Sequence, residues 1–430
     1  MKKKYKIGWK TATALVVANM IGAGIFTSLG FQLVEIQNTW SIIILWTLGA
    51  IMALCGALSY AELSTSMVRS GGEYQFLSKT FHPLVGYLSG WVSLTIGFAA
   101  PVALASIAFG EYLTLYLGVD KVILASLIVI LITFLHTISV KHSSLLQNST
   151  TIFKLVTILI IIVAGFTIST PENALEWSNI WQNEILLPGF AVSFVYVTYS
   201  YSGWNAASYL AEEIESPIIN IPKALVIGTL IVSILYILLN ITFLKHGTLN
   251  SLQGQLEVGQ IAVNGMFDSN GGKIISIAIG LILISSISAM VWIGPKVTQV
   301  MGEDYRFWHW FSKLSEKEIP KRAIILQLLI TLILLISGTF QQILIYSGFV
   351  LQLFGALSIY SVFLNRKKNG IKSLQFKTPL YPIPQLIFLF LSAWVLIYLL
   401  YQQPKQSLLG CINIGNGIII YNFDKSINKQ

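Results

Sequence analysis

Apolar residues recur along the chain in twelve runs, at about 8–36, 40–67, 83–117, 120–138, 145–169, 188–213, 222–248, 271–300, 323–338, 340–364, 383–402 and 406–422. A helix needs about 20 apolar residues to cross the hydrocarbon of a bilayer, so this pattern predicts about twelve transmembrane helices. Isolated strands would leave main-chain groups unpaired in hydrocarbon, and the ten-residue alternation of a barrel is not seen. Short loops without a low-complexity linker make residues 1–430 one unit, an all-α polytopic membrane protein.

Composition excludes a water-soluble protein: 55% of residues are hydrophobic and only 10% charged, where soluble domains carry about 25% charge. The net charge of +9 does not mark a nucleic-acid surface, because the basic residues are scattered through short loops. Sorted by loop, twenty-two fall on one side, while Lys121, Lys245, Lys273 and Lys405 fall on the other and Lys154 lies within a run. The positive-inside rule therefore puts both termini in the cytoplasm, in the inner or plasma membrane of a cell. The start Met1-Lys2-Lys3-Lys4 is like the basic region of a signal peptide, but the apolar run behind it is long and has no small-residue cleavage site, so it reads as a retained first helix.

Catalytic chemistry is not indicated. Cys55 and Cys411 both sit in apolar runs, and the five histidines lack metal-ligand spacing. No His-Glu-x-x-His, Gly-x-Ser-x-Gly or phosphate-loop pattern occurs. Neither an enzyme, a cofactor, a metal site nor an obligate protein partner is expected.

Two runs differ from the rest. The first contains Asn19-Met20-Ile21-Gly22-Ala23-Gly24-Ile25-Phe26 and the sixth Tyr199-Ser200-Tyr201-Ser202-Gly203-Trp204-Asn205, with glycine and polar residues near the middle of the bilayer. Small residues also serve close helix packing. Two interruptions five runs apart, however, fall in halves of opposite orientation, which is the pattern of a secondary transporter with a mid-membrane site. Unwinding frees N–H groups suited to a carboxylate and carbonyls suited to an ammonium, and an α-amino acid presents both.

These segments resemble the amino acid/polyamine/organocation superfamily of transporters, most closely the prokaryotic permeases like the L-type amino acid transporters. The likeness runs through Trp9-Lys10-Thr11-Ala12 and Gly22-Ala23-Gly24-Ile25-Phe26, then Ser59-Tyr60-Ala61-Glu62-Leu63 and Gly71-Gly72-Glu73-Tyr74. It continues through Tyr201-Ser202-Gly203-Trp204-Asn205, Glu212-Glu213, Asn220-Ile221-Pro222-Lys223-Ala224, Gly294-Pro295-Lys296-Val297 and Met301-Gly302-Glu303-Asp304. The family often has Arg and an Arg-Asp pair in the last two of these stretches, and this chain departs from it there.

The resemblance implies a LeuT-like fold of five plus five helices in inverted repeat, with 8–169 as the first repeat, 188–364 as the second and 383–422 as two added helices. It implies amino acid import or exchange by alternating access. The main chain at Ile21, Gly22, Ala23 and Gly24 would receive the substrate carboxylate, and that around Val17, Ala18, Tyr199 and Ser200 the amino group. Tyr199 matches an aromatic gate, shared with Trp204; Trp204 and Asn205 fall beside the side-chain pocket, and Gly203 is among the substrate-binding positions.

Lys154 is a snorkelling lysine if its helix starts late. A span confined to residues 155–169 would cover only about 22 Å of a hydrocarbon layer of about 30 Å, so the helix must start nearer Leu146 and carry Lys154 inside. The resemblance implies that its ammonium occupies the place of a sodium ion, which favours proton coupling or exchange. The hydroxyls of Ser285, Ser286 and Ser288 are the opposing cue, being of the type that ligates sodium.

Glu35, Glu111, Asp120, Glu172, Glu176, Glu184, Glu257 and Asp268 fall on or near the outer side, and Glu62, Glu212 and Glu213 near inner helix ends, where solvation is expected for Glu62 and Glu213. With no carboxylate assigned to mid-membrane, a neutral amino acid is the expected substrate. A cationic-substrate antiporter and a nutrient sensor on the same fold are the alternatives.

Overall fold

The computed structural model describes residues 6–138, 140–170, 181–267, 269–371 and 374–427. Glu172, Glu176 and Asp268 lie outside the described residues. The described residues form helices and no strand, apart from one parallel bridge between Ile7 and Ile214. The order is α1 (Trp9–Met20), α2 (Ala23–Glu35), α3 (Thr39–Ser66), α4 (Glu73–Thr80), α5 (Pro83–Val92), α6 (Ala99–Leu117), α7 (Lys121–His136) and α8 (Val140–Thr167). After the four-residue α9 (Trp181–Glu184) come α10 (Pro188–Tyr201), α11 (Pro217–His246), α12 (Leu249–Leu252), α13 (Val258–Asn264) and α14 (Ser269–Asp304). The chain closes with α15 (His309–Ser312), α16 (Lys321–Ser337), α17 (Phe340–Asn369), α18 (Ile383–Gln402) and α19 (Pro404–Ile427).

Among the described residues, eight helical stretches are long and apolar enough to cross a membrane, α1 with α2 and α5 with α6 each counting as one. The chain is thus a helical, multi-pass membrane protein. Four of the twelve expected spans fall short for separate reasons. α7 and α16 have 16 and 17 residues, a few ångströms below the roughly 30 Å of hydrocarbon at about 1.5 Å per residue. α10 stops after 14 residues because it is interrupted, and α19 carries Gln406, Asn413, Asn416 and Asn422.

Local chemistry sets several ends. Asn38 caps α3 by accepting from the N–H groups of Trp40 and Ser41, and Asp120 caps α7 in the same way. Gly118, with φ 63°, closes α6 in the left-handed region. The run 83–117, expected to be one helix, is broken by a π-helical turn over Ser93–Gly97. Pro101 explains this: it lacks an N–H, and its ring would collide with the Gly97 carbonyl of a regular helix. The Phe98 N–H accordingly bonds Ser93 O at 3.1 Å.

α1 packs between α11, α8 and α14, while α2 packs on α10. One acidic residue corrects an expectation. Glu62 is not a solvated helix end but fully buried. Arg366, near the end of α17, donates to its two carboxylate oxygens at 2.7 and 2.6 Å, and the Thr378 N–H donates at 2.7 Å. The guanidinium lies 3.6 Å from the Tyr381 ring centroid, so the clamp joins α3, α17 and the segment before α18. Glu213 likewise is paired, with Lys296 at 2.8 Å.

Candidate functional site

Both predicted interruptions are present. α1 ends where Ile21 (φ −76°, ψ 86°) and Gly22 (φ −117°, ψ −152°) leave helical geometry, and α2 restarts at Ala23. Glycine disfavours a helix interior by about 1 kcal/mol relative to alanine, and here two glycines flank one alanine. α10 ends at Tyr201, Gly203 takes φ 97°, and a short 3-10 helix follows over Ala206–Glu213. That dihedral is one that L-residues with a Cβ rarely adopt.

The two breaks face each other. A Cβ on Gly24 would lie 2.7 Å from Ser200 Cα, and one on Gly203 would lie 2.8 Å from the Asn19 carbonyl. Ser28 and Ser200 share a hydroxyl hydrogen bond of 3.0 Å, and Tyr236 Oη on α11 donates to Met20 O at 2.6 Å and to Ser200 O at 3.0 Å. Between them lies a cavity of about 100 Å³ lined by Asn19, Tyr199, Gly203, Trp204 and Asn205, with Ser93 and Gly97 from the π turn, Phe98 just after it and Glu73 from α4. A single water needs about 10–15 Å³ by this measure, so several water-sized groups fit. A smaller void of about 10 Å³ touches Gly22, Ala23, Gly24, Tyr199 and Ser200.

Several carbonyls expected to meet an amino group already hold partners. Val17 O accepts from the Ile21 N–H at 2.9 Å and Tyr199 O from the Ser202 N–H at 2.9 Å. Lys154 Nζ reaches Ala18 O at 3.2 Å and Ile21 O at 2.6 Å. Among the N–H groups expected to meet a carboxylate, Ile21 and Gly22 donate within the chain, whereas those of Ala23 and Gly24 at the start of α2 have no main-chain acceptor among the described residues. The N-terminal face of α2 is therefore the part of this break left open to an anion.

Lys154 does not snorkel. It is fully buried within α8, and its Nζ also donates to Ser286 Oγ at 2.9 Å, which donates to Ile21 O at 2.6 Å. The three serines expected as possible sodium ligands all have partners: Ser285 meets Gln147, Ser286 meets Lys154 and Ser288 meets His136. The ammonium thus ties α8 and α14 to the broken end of α1.

Sequence reasoning missed Glu73. Its place in a loop between long apolar runs hid it, although the preceding Gly71 and Gly72 were the signal. Their φ values of 113° and 54° double the chain back, so that α4 returns a carboxylate to the cavity. Burial raises the Glu73 carboxyl above its ordinary range, and hydrogen bonds from Tyr60, Asn205 and Tyr209 oppose that rise. Tyr60 Oη donates to Glu73 Oε1 at 2.6 Å, and Asn205 Nδ2 donates to the same oxygen at 3.0 Å. A carboxylate does therefore line the cavity, contrary to the expectation drawn from the runs alone.

A multi-pass helical protein with two facing helix breaks beside a cavity has the build of a carrier. A family model described as amino acid permease matches residues 7–419, and the chain belongs to that family. It is 27% identical over 427 residues to the b(0,+)-type amino acid transporter 1 of Mus musculus, covering 97% of this chain and 87% of the relative. Similarity of 28% extends over 433 residues of the cystine/glutamate transporter of Homo sapiens, covering 97% and 85%. The serine/threonine exchanger SteT of Bacillus subtilis is 28% identical over 402 residues, covering 91% and 90%. The protein is accordingly an amino acid transport protein.

Proposed function

We propose that this chain moves a small neutral amino acid across the cell membrane by alternating access, in exchange for another or together with a proton, and without sodium. The observation that carries the reading is the pair of facing helix breaks, with the Ala23 and Gly24 N–H groups lacking a main-chain acceptor where these residues border the small void of about 10 Å³. The carboxylate docks on those groups, the amino group on the main chain near the second break, and the side chain points toward Trp204 and Asn205. Tyr199, buried and lining the cavity, gates it together with Trp204. The fold is twelve helices in a five-plus-five inverted repeat with two added helices, both termini cytoplasmic, and the chain works without an obligate partner.

Lys154 supports independence from sodium, because its ammonium takes the carbonyls that a bound cation would need. A second reading, a cationic substrate, is favoured by Glu73 at the cavity wall. Purified protein in liposomes, offered labelled neutral and cationic amino acids, separates them. The expected result is uptake of small neutral amino acids, driven by internal amino acid or by a proton gradient and unchanged by a sodium gradient. Sodium-driven accumulation removes the role given to Lys154, and a preference for cationic amino acids selects the second reading.

A further inference from the structure

Asn205 stands at the second break and lines the cavity, and the orientation of its amide is fixed from outside that helix. Nδ2 lies 3.0 Å from Glu73 Oε1 and 3.1 Å from Tyr209 Oη, which commits both amide hydrogens. Tyr60 Oη donates to the same Oε1 at 2.6 Å. The bonds converge on one carboxyl oxygen, which accepts whether or not the other oxygen carries a proton. Chemistry therefore assigns nitrogen, not oxygen, to the Asn205 atom facing Glu73.

Asn205 Oδ1 is left as the acceptor this residue offers to the cavity, since among the described residues nothing donates to it. Trp204, Phe98, Leu351, Phe388 and Gly355 make most of the lining apolar, with Glu73, Ser93, Thr198 and Gln352 among its polar members. A side chain entering this end meets an apolar wall with an acceptor set in it, an arrangement that favours a small side chain ending in a hydrogen-bond donor. We propose that Asn205 Oδ1 selects small amino acids with a hydroxyl-type donor, and that Glu73 is the positioning residue that keeps this acceptor turned into the cavity. The proposal rests on the transport reading above and narrows it.

The test compares serine with 2-aminobutyrate, which has a methyl group in place of the hydroxyl, in liposomes holding the purified full chain. The unaltered protein is expected to favour serine about tenfold in kcat/KM, the scale of one neutral hydrogen bond. Asn205→Ala and Glu73→Leu each erase that preference through the serine KM, and the double variant loses no more than either alone because the two residues act as one unit. Glu73→Gln, whose amide oxygen still accepts, restores the preference to within about twofold. If Glu73→Leu does not insert, Asn205→Ala and Glu73→Gln carry the comparison.

Three results overturn the proposal: no preference in the unaltered protein, equal losses for both substrates in the variants, or a Glu73→Gln variant as impaired as Glu73→Leu. The last would mean that the charge itself is required. Failure of the transport reading looks different, since the unaltered chain would then exchange no amino acid.

Discussion

Replacing Lys154 with methionine is expected to cut amino acid transport at least about tenfold while the protein still inserts into the membrane. The substitution keeps most of the side-chain volume and removes the donor. It strands the Ala18 carbonyl and leaves the Ile21 carbonyl with the Ser286 hydroxyl alone, and a buried acceptor left without a partner costs about 1–3 kcal/mol. It also cuts the link from α8 and α14 to the broken end of α1, the part of the molecule that must hold its shape to grip a substrate and release it to change sides. A snorkelling lysine would tolerate the change, because its ammonium would lie in water. Initial rates in liposomes, normalised to inserted protein, decide between them, and a native rate in Lys154→Met takes this residue out of the mechanism.

The second large effect is steric. Gly203→Val forces a branched side chain onto φ 97° and sets its Cβ 2.8 Å from Asn19 main-chain atoms, while Gly24→Val drives a Cβ to 2.7 Å from Ser200 Cα. Each variant pushes the two breaks apart, and at Gly203 the left-handed φ adds strain on the order of 1–3 kcal/mol to the overlap. Both are expected to reduce substrate binding at least about tenfold in purified, inserted protein, measured as ligand-induced thermal stabilisation. Gly22 stands apart: a Cβ there meets nothing nearer than Met20 O at 4.0 Å, so Gly22→Ala is expected to be milder than either. Equal severity at all three positions would show that the glycines act through helix propensity and not through the close approach of the breaks.

Hydrophobic runs made the helical class legible because main-chain groups in hydrocarbon have few ways to be satisfied. The breaks at Gly22 and Gly203 were legible for the same reason, since glycine and polar residues at that depth need an explanation. The partners across the molecule were not. That Tyr236 bridges Met20 and Ser200, that Arg366 neutralises Glu62, and that Pro101 opens a π turn beside the cavity depend on which helices become neighbours. Periodicity carries no such information. Glu73 was hidden for a related reason: its distance from the apolar runs along the chain says nothing about a turn at Gly71 and Gly72 that folds it back among them.

The central claim is that the two interrupted helices hold an amino acid between them through exposed main chain. A structure determined with serine bound, at a resolution that shows the main chain, tests it most directly. The serine carboxylate is expected against the N–H groups of Ala23 and Gly24, with its side chain toward Trp204 and Asn205. Continuous helix through residues 20–24 and 201–205, or serine bound away from both, would contradict it.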